Sequence, residues 1–362
     1  MTRAVLLVAA AAGALVVAAG LLLTLFAEPA GRHLYARQLE ARLDQDRLAG
    51  LPDGLTIAFC GTGSPLPDPG RAQSCTAVIA GGRVFVVDAG SGSARNLVLM
   101  GLRAARIEAL LLTHFHSDHI TDAYPLALQR WVDGAQTTPL TVYGPQGVRS
   151  VVDGFNTAYR PDGGYRTDHH GDIIAPPPGY GLSAIEFTGG ETEPVTVLDQ
   201  AGLTVTAVRV NHDPASPAVA YRFDYAGRSA VISGDLIMEG SPAFADFARG
   251  ADLMVAEALQ PRLVGLITEQ AQADGRDDLA RITVDILDYH TTPQSAAEAA
   301  EQAGSHALVL NHIVPALPSR LLHLAFLGDA ERRFSGPVRI AQDGLVVRLP
   351  AGSDAVRFEA WL

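Results

Sequence analysis

Lysine is absent from this chain of 362 residues, so all 27 basic side chains are arginines. The absence removes two kinds of enzyme chemistry. A lysine Schiff base cannot form with a carbonyl substrate, and the lysine of a phosphate-binding P-loop has no counterpart. Any basic function of the protein must therefore depend on arginine or histidine.

Cysteine is nearly absent as well, since Cys60 and Cys75 are the two that occur. Two residues cannot build a disulfide framework or a cysteine-rich zinc site. A single bridge between them is one alternative, but small buried cysteines are common in protein cores. We therefore expect two free, buried cysteines.

Positive charge is scarce relative to negative charge, because the chain has 39 acidic residues and a net charge of -12. An acidic chain repels a phosphate backbone unless it concentrates arginine locally, so nucleic acid is an unlikely partner and a small-molecule substrate is expected. The composition, with 48% hydrophobic and 18% charged residues, is otherwise that of a globular protein. It leaves the oligomeric state open.

The amino-terminal segment contains a long apolar run, Ala4 to Phe26, without a charged residue. A helix over this run would be about 35 Å long, enough to cross a bilayer. We therefore predict a signal anchor or transmembrane segment over residues 1–30, a helical stalk or linker over residues 31–53, and one large folded domain over residues 54–362. A cleaved signal peptide is the alternative to a retained anchor.

Two opposing signals bear on the side of the membrane where the domain lies. Arginines after the apolar run, from Arg32 to Arg47, favour a cytoplasmic body by the positive-inside rule. The short basic start before a long apolar run is instead typical of export. We expect a membrane-anchored or exported protein with an extracytoplasmic (periplasmic) domain, and the cytoplasmic orientation stays open.

Short apolar runs separated by Gly, Pro and Asp begin near Leu55 and predict strands. The predicted strands are LTIAFC, TAVIA, RVFVVDAG, ALLLTH, LTVYG, LTVTAVRVNH, AVISGD, DLMVAEA, HALVLNH and GLVVRL. Helical patterns lie between several of them, notably SARNLVLMGLRAARI and TPQSAAEAAEQAG. This alternation indicates an α/β fold whose helices cover the sheet faces.

Metal-binding residue types follow several of these strands directly, which would gather them at one edge of the sheet. The densest group is THFHSDHITD, an H-x-H-x-D-H array of His114, His116, Asp118 and His119. Imidazole nitrogens and carboxylate oxygens without thiolate suit zinc or another borderline divalent ion. Three more residues each follow a further strand and are expected to join the array: His212, Asp235 and His312.

Two other residues are candidates for the same site. His306 lies on the same predicted strand as His312, and the strand between them would separate the two by about 20 Å. We therefore place His306 at the opposite edge of the sheet. Asp88 ends the strand RVFVVDAG, where an aspartate either forms a local turn or orients a metal-bound histidine.

The array and the three distant residues together resemble the metallo-β-lactamase superfamily over roughly residues 54 to 350. The resemblance implies an αββα sandwich that binds two divalent metal ions per chain, most simply Zn2+. The first ion would be held by His114, His116 and His212. The second would be held by Asp118, His119 and His312, with Asp235 bridging both. Such a pair makes a metal-bound hydroxide available as a nucleophile at neutral pH.

Three further segments resemble the ribonuclease Z-like branch of that superfamily: FCGTGSPLPDPGR, DLMVAEAL and DYHTTP. In that branch a glutamate orients a histidine that protonates the leaving oxygen, and here these would be Glu257 and His290. The branch also recruits precursor tRNA with a basic Gly/Pro-rich arm. The equivalent stretch, Phe155 to Glu193, is net acidic and contains the polar loop YRTDHHGD, which favours the arylsulfatase-like members.

The residues and the resemblance together predict a dinuclear, metal-dependent hydrolase of small anionic esters, either aryl sulfates or phosphodiesters. Asp118, His290 and Glu257 are the expected catalytic residues, with Asp118 accepting a proton. A second hypothesis is a ribonuclease Z-like phosphodiesterase or tRNA 3′ endonuclease. A β-lactam or lactone hydrolase and a non-catalytic metal-binding member complete the set of hypotheses.

Overall fold

The structure is a computed structural model that describes residues 2–43 and 46–362. The chain divides into two compact units, Met1–Asp46 and Arg47–Leu362. The first unit is helical, and the second contains both β-sheets.

The first unit contains the long helix α1, Arg3–Leu43. Its apolar part has the length and composition of a membrane span, with a mean hydropathy of 2.6 and no burial in its most apolar window. Pro29 lies inside the helix without ending it. The predicted anchor and the start of the predicted stalk are therefore one helix. A secretion signal has the same length and composition, so membrane anchoring stays a prediction.

The second unit is built on two β-sheets. Its strands are β1 (Gly54–Gly61), β2 (Cys75–Ala80), β3 (Arg83–Val87), β4 (Ile107–Leu111), β5 (Leu140–Gly144), β6 (Leu182–Glu186), β7 (Val195–Gln200), β8 (Leu203–Val210), β9 (Ala218–Tyr225), β10 (Arg228–Ile232), β11 (Leu253–Leu259), β12 (Ala307–Val314), β13 (Val338–Ile340), β14 (Leu345–Pro350) and β15 (Arg357–Ala360). Over the described residues, the first sheet has the order β15-β14-β1-β2-β3-β4-β5-β6 and the second the order β13-β12-β11-β10-β9-β8-β7.

Helices connect these strands and cover the sheets. They are α2 (Ser93–Leu99), α3 (Ser117–Ile120), α4 (Ala123–Gly134), α5 (Val148–His170), α6 (Pro242–Phe247), α7 (Pro261–Ala273), α8 (Asp277–Asp285), α9 (Pro293–Ala303), α10 (Leu322–Leu327) and α11 (Ala330–Arg333). Each predicted strand segment overlaps a strand, and the predicted helix TPQSAAEAAEQAG coincides with α9. The predicted helix SARNLVLMGLRAARI is right only in its first half, because α2 ends at Leu99 and Ile107 already belongs to β4. Strands β6, β7, β9, β13 and β15 lie outside the predicted segments.

The two sheets pack face to face across an apolar layer that includes Phe59 of β1 and Phe223 of β9. The outer face of the first sheet packs on helices through residues such as Leu97. The outer face of the second sheet packs on helices through residues such as Phe326. The result is the predicted αββα arrangement. Central strands such as β1 are buried on both faces, which explains their continuous apolar runs.

Parallel strands occur in both sheets and set the position of the candidate site. Strands β3 to β6 are mutually parallel in the first sheet, and β10 to β13 are mutually parallel in the second. Parallel strands bring their carboxyl ends to one edge, where α/β proteins place their ligand sites.

Cys60 and Cys75 form a disulfide, so the expectation of two free cysteines is wrong. They lie at the ends of the paired strands β1 and β2, where the register shifts between Phe59 and Gly61. The shift brings the two Cα atoms to 5.1 Å, within the range that a bridge requires. Chain spacing alone does not reveal such a register shift, which is why the sequence favoured two free cysteines.

Helix α5 continues through YRPDGGYRTDHH, so the expectation of a polar loop there is also wrong. Pro161 and Gly163 lie inside it despite their poor helix propensity. Tertiary contacts compensate, because the ring of Tyr159 stacks on Tyr124 with centroids 3.8 Å apart. Gly163 lies so close to the ring of Tyr180 that a side chain there would clash.

Candidate metal centre

The H-x-H-x-D-H array begins just after β4, at the carboxyl edge of the first sheet. His114 and His116 lie in the connecting loop, and Asp118 and His119 lie in the short helix α3. Strand β4 is fixed between β3 and β5, so the array starts from a rigid point. All but His116, which is half-buried, are almost completely buried.

A first cluster consists of His114, His116 and His212. His212 comes from the second sheet, just after β8. Its Nε2 lies 3.4 Å from Nδ1 of His116, and Nε2 of His114 lies 3.0 Å from that same nitrogen. Three imidazole nitrogens therefore converge from two different sheets.

A second cluster consists of Asp118, His119 and His312. Oδ2 of Asp118 lies 3.1 Å from Nε2 of His312 and 3.4 Å from Nε2 of His119. The rings of His119 and His312 stack with centroids 5.2 Å apart. This cluster also combines side chains from both sheets.

Asp235 follows β10 and lies between the two clusters. Its Oδ2 is 3.8 Å from Nε2 of His212 and 4.0 Å from Nε2 of His114. The same oxygen is 3.3 Å from Nε2 of both His119 and His312. One carboxylate thus adjoins both clusters, as a bridging ligand would.

A bulge in β12 turns His312 into the site. Glu257 of β11 pairs with Asn311 and Ala258 pairs with Ile313, so His312 has no opposite residue. Its φ of 44° lies in the left-handed region that bulges often use. The expectation that His312 follows its strand is therefore wrong in detail, since the bulge lies inside β12.

Outer partners orient the imidazole rings. Asp88 accepts a hydrogen bond from Nδ1 of His119 at 2.8 Å and two more from the amide and hydroxyl of Thr113. The Thr113 hydroxyl in turn accepts from Nδ1 of His114 at 3.1 Å. Asp88 therefore orients a site histidine rather than forming only a local turn. Both rings are thereby held with Nε2 toward the clusters.

His290 lies beside these clusters and is held by Glu257. Nδ1 of His290 donates to Oε1 of Glu257 at 2.9 Å, and the same oxygen accepts from the amides of Leu236 and Thr291. The side chains of His290 and Glu257 are 5% and 1% exposed. A ring nitrogen of His290 lies within 4.8 Å of a carboxylate oxygen of Asp235.

Burial and mutual charge shift the pKa values of the site. Burial would raise the pKa of Asp235, but His312 and His119 lower it well below its usual range. Burial would lower the pKa of His312, but Asp235 and Asp118 raise it to about 9. Burial lowers the pKa of His212 to about 4. The carboxylates therefore stabilise positive charge in the second cluster, and His212 stays neutral as a metal ligand must.

This donor set fits divalent metal ions. Among the described residues, Nε2 of His119 and Oδ1 of Asp235 are buried without a hydrogen-bond partner, which is costly unless a ligand completes the arrangement. Nitrogen and oxygen donors without sulfur are those of zinc and similar ions. A cation that binds here would displace the protons that carry the histidine charge.

Two contacts of the site come from residues that the sequence does not single out. Thr113 links Asp88 to His114, and the carbonyl oxygen of Tyr289 accepts from Nδ1 of His212 at 2.9 Å. The one feature of the sequence that could have indicated them is their position, because each immediately precedes a histidine of the site. A backbone acceptor such as Tyr289 is not determined by its side chain, so sequence patterns do not identify it.

Other histidines lie away from the clusters. His306 precedes β12 and pairs with Oδ1 of Asp252 at 3.1 Å, at the opposite edge of the sheet as expected. His169 and His170 are exposed in the last turn of α5.

Comparisons with known proteins agree with this geometry. The metallo-beta-lactamase superfamily matches residues 68–288. The chain is 37% identical to a protein named Ribonuclease Z from Mycobacterium marinum over 265 residues, which are 73% of this chain and 88% of that protein. It is 35% identical to a Ribonuclease Z from Mycobacterium avium over 301 residues, which are 83% of this chain and 100% of that protein.

Solved structures share the fold. The metallo-beta-lactamase fold protein YhfI from Bacillus subtilis superposes with a TM-score of 0.56 at 23% identity, covering 81% of this chain and 99% of that chain. The short form of human tRNase Z superposes with a TM-score of 0.55 at 22% identity, covering 82% of this chain and 99% of that chain. At these identities the likeness concerns the fold alone.

The expectation that nucleic acid is an unlikely partner is wrong. Relatives that share more than a third of their aligned residues with this chain carry a name for enzymes that act on RNA. The expectation rested on the net charge of the whole chain, which does not describe how arginines are distributed locally. The same relatives favour the ribonuclease Z hypothesis over the aryl sulfate interpretation.

The superfamily match spans more than half of the chain, and the curated relatives extend beyond it on both sides. The αββα layers and the two clusters with Asp235 between them are the structural features that agree with this match. This chain belongs to the metallo-beta-lactamase superfamily and, within it, to the ribonuclease Z-like branch.

Proposed function

We propose that this protein is a metal-dependent phosphodiester hydrolase that cleaves RNA. The observation that carries the proposal is the pair of His290 and Glu257 beside two clusters able to hold metal. The leaving group in RNA cleavage is a ribose hydroxyl, which is a poor leaving group and needs a proton donor. An aryl sulfate releases a more stable phenolate and needs that donor less.

The site would hold two divalent ions, most simply Zn2+. The ligands proposed for the first ion are His114, His116 and His212. The ligands proposed for the second are Asp118, His119 and His312, with Asp235 shared by both. When bound, the ions supply positive charge against the phosphate oxygens and a water acidic enough to act as nucleophile near neutral pH.

The chain's own residues position and transfer the protons. Glu257 accepts from Nδ1 of His290, which leaves the other ring nitrogen available to the substrate. His290 donates the proton on Nε2 to the leaving ribose oxygen as the phosphorus–oxygen bond breaks. Asp118 accepts the proton that the attacking water releases. The products are an alcohol and a phosphate monoester, so the atoms of water are fully accounted for.

A β-lactamase activity and a purely metal-binding role are less well supported. Both cysteines are joined in the disulfide between β1 and β2, so neither offers the thiolate ligand of many β-lactamases. A non-catalytic member would be expected to lose ligands or the proton donor. In the described residues both clusters and the His290–Glu257 pair are present.

The test compares two histidines, one inside and one outside the site, in the full chain purified in detergent and loaded with zinc. For His290→Ala we expect RNA cleavage to fall by about 10² to 10⁴, the usual contribution of a general acid. Hydrolysis of bis-p-nitrophenyl phosphate should fall much less, because nitrophenolate leaves without a proton. His306→Ala, the matched control, should leave both rates unchanged.

Three results would contradict the proposal. One is turnover of p-nitrophenyl sulfate without cleavage of RNA, which would restore the aryl sulfate interpretation. Another is zinc binding without turnover of any ester, which fits a non-catalytic member. The third is an equal loss of RNA cleavage in His290→Ala and His306→Ala.

We further propose that α1 anchors the protein in a membrane and that residues 54–362 form an extracytoplasmic hydrolase domain. The apolar helix supports the anchor, and the disulfide supports an oxidising compartment, because cytosolic thiols are kept reduced. Of the reporters fused after Leu55, those that function only outside the cytoplasm should be active, and those that function only in the cytoplasm should be inactive. Active cytoplasmic reporters would contradict this orientation.

A further inference from the structure

An enzyme that cleaves RNA needs cations near its site to bind the phosphate backbone. Helix α5 and the segment after it are net acidic and supply little positive charge. Their acidic residues outnumber their arginines, and Arg166 is already paired with Asp162 at 2.9 Å. Arginines outside this net acidic stretch are therefore the better candidates for binding RNA.

A groove of about 500 Å³ lies between the starts of α7 and α9 and the segment from α10 to α11. We call it the α10 groove. The charged residues that line it are Arg262, Asp329, Arg332 and Arg333. Arg333 pairs with Asp329 and with Glu298, so its charge is compensated. Arg262 and Arg332 form no ion pair with any described residue. With Glu298 counted, three arginines face two carboxylates, so the groove has a net positive charge and two unpaired arginines.

The α10 groove adjoins the proposed proton donor. Its lining residue Thr292 is two positions beyond His290, which limits their Cα separation to about 7 Å. Its lining residue Gln260 directly follows β11 and is three positions beyond Glu257, so their Cα atoms are about 10 Å apart. The groove and the clusters therefore lie at the same edge of the second sheet.

Hydrogen bonds fix the groove to the loops of the site. The side-chain amide of Gln260 donates to the carbonyl oxygen of Phe326 at 2.7 Å, and that of Gln294 donates to Leu327 at 3.1 Å. The amide of Leu259 donates to the carbonyl oxygen of Thr291 at 2.8 Å. These bonds join α10 to the two segments that carry Glu257 and His290, so the groove keeps a fixed position beside them.

We propose that the α10 groove binds the phosphate backbone of RNA on the leaving-group side of the cleaved bond, through Arg262 and Arg332. The inference rests on the proposed function. His290 protonates the leaving oxygen, so the strand that departs from it runs past Thr292 into the groove. Two arginines beside the proton donor would thus replace the basic arm as the main phosphate contact.

The test uses the zinc-loaded full chain in detergent and a short fluorescent RNA. In the double variant R262Q/R332Q, kcat/KM for RNA should fall by about tenfold or more, as expected for two charge-assisted contacts. The slope of log KM against log salt should become shallower by about 1.4, since each phosphate contact on a single strand contributes about 0.7. Hydrolysis of bis-p-nitrophenyl phosphate should not change, because that substrate is too small to reach the groove.

Two further variants make the result specific. R103Q/R357Q removes two exposed arginines away from the groove and should leave both substrates unaffected. R262K/R332K keeps the charge and should keep the salt dependence of the wild type. Equal salt slopes in R262Q/R332Q and the wild type would overturn the inference, as would an equal loss in R103Q/R357Q.

The inference and the proposed function fail in different ways. Wild-type protein that hydrolyses bis-p-nitrophenyl phosphate but never cleaves RNA contradicts the proposed function, and the inference with it. Wild-type protein that cleaves RNA with no dependence on Arg262 and Arg332 contradicts the inference alone.

Discussion

The two ends of strands β10, β11 and β12 carry the same kinds of side chain in different surroundings. At the amino ends, Asp252 accepts from the amide of Ser229 at 2.7 Å and pairs with Arg228 at 3.0 Å and His306 at 3.1 Å. At the carboxyl ends, one oxygen of Asp235 faces histidine nitrogens of both clusters. Its other oxygen has no hydrogen-bond partner in the described chain.

This difference separates a structural ion pair from a binding site. Donors of the chain itself match both oxygens of Asp252, and the side chain of His306 is 47% exposed. At the carboxyl ends, the buried atoms without a partner include Nε2 of His119 and Oδ1 of Asp235, which a folded protein tolerates when a ligand supplies the missing interaction. Nε of Arg228 at the amino ends also lacks a partner, but a guanidinium cannot bind a cation. Histidine and aspartate alone therefore do not identify a metal site, whereas histidine and aspartate atoms that are buried without a partner mark a candidate one.

The largest expected effect comes from exchanging the two aspartates for asparagine in turn. Asp235→Asn should lower the metal content and reduce hydrolysis by at least about 100-fold, because even an outer partner of a metal ligand can contribute that much. Asp252→Asn should keep metal and activity. It should lose about 3 kcal/mol of stability, because the buried Arg228 loses its partner.

Metal analysis, initial rates and urea denaturation measure these two variants. Loss of metal in Asp252→Asn would contradict the comparison, and so would full activity in Asp235→Asn.

Removal of metal should have the next largest effect. A bound ion at a free concentration about 1,000 times its Kd stabilises the folded protein by about 4 kcal/mol, and a chelator removes this contribution. We expect Tm to fall on chelation and to recover when zinc is added. Asp235→Asn should show a much smaller change under the same treatment. An identical change in both proteins would mean that the metal binds elsewhere.

A smaller effect is expected for Asp88→Asn. The amide nitrogen of asparagine cannot accept a hydrogen bond, so either Thr113 or His119 loses its partner. Metal affinity should weaken by about 10 to 100-fold, as for other outer partners of a ligand. Competition with a coloured chelator measures it, with Asp252→Asn as the control. Unchanged affinity would mean that Asp88 only shapes the backbone.

The smallest effect is expected for His306→Ala. Its ion pair with Asp252 is half exposed, and pairs of that kind contribute about 1 kcal/mol or less. Urea denaturation should show that small loss, with no change in metal content. A large loss of stability would show that the amino ends of the strands are more strongly coupled than their contacts indicate.

Much of the candidate site could be predicted from the sequence, because most of its side chains lie in or after the end of an apolar strand; His290, which lies between two helical segments, is the exception. Residues that follow different strands in the sequence then meet in space, because parallel strands bring their carboxyl ends to one edge of the sheet. The bulge at His312 means that this residue lies inside β12 rather than after it, but the predicted residue is the one that reaches the site. The partners Thr113 and Tyr289 could not be predicted, because a hydroxyl beside a histidine and a backbone carbonyl are common in any protein.

The errors have one physical origin, which is that contacts between distant segments decide the outcome. The disulfide depends on a register shift between β1 and β2, and α5 depends on its packing against Tyr124 and Tyr180. The α10 groove likewise combines Arg262 and Arg332, which are far apart in the chain. Counting charge along the sequence showed that the stretch from Phe155 to Glu193 is acidic. It did not show that arginines from distant segments meet in the α10 groove.

Strand β1 lies between β2 and β14, so its second partner comes from the end of the chain. Gly54 pairs with Pro350, and Ile57 pairs with Val347. During synthesis, one edge of this fully buried strand stays unpaired until the last strands emerge, and exposed apolar edges of this kind aggregate. A stop codon before β14 should therefore give an insoluble protein rather than a shortened, active enzyme. Premature stops near the carboxyl terminus should therefore be as damaging as stops far upstream.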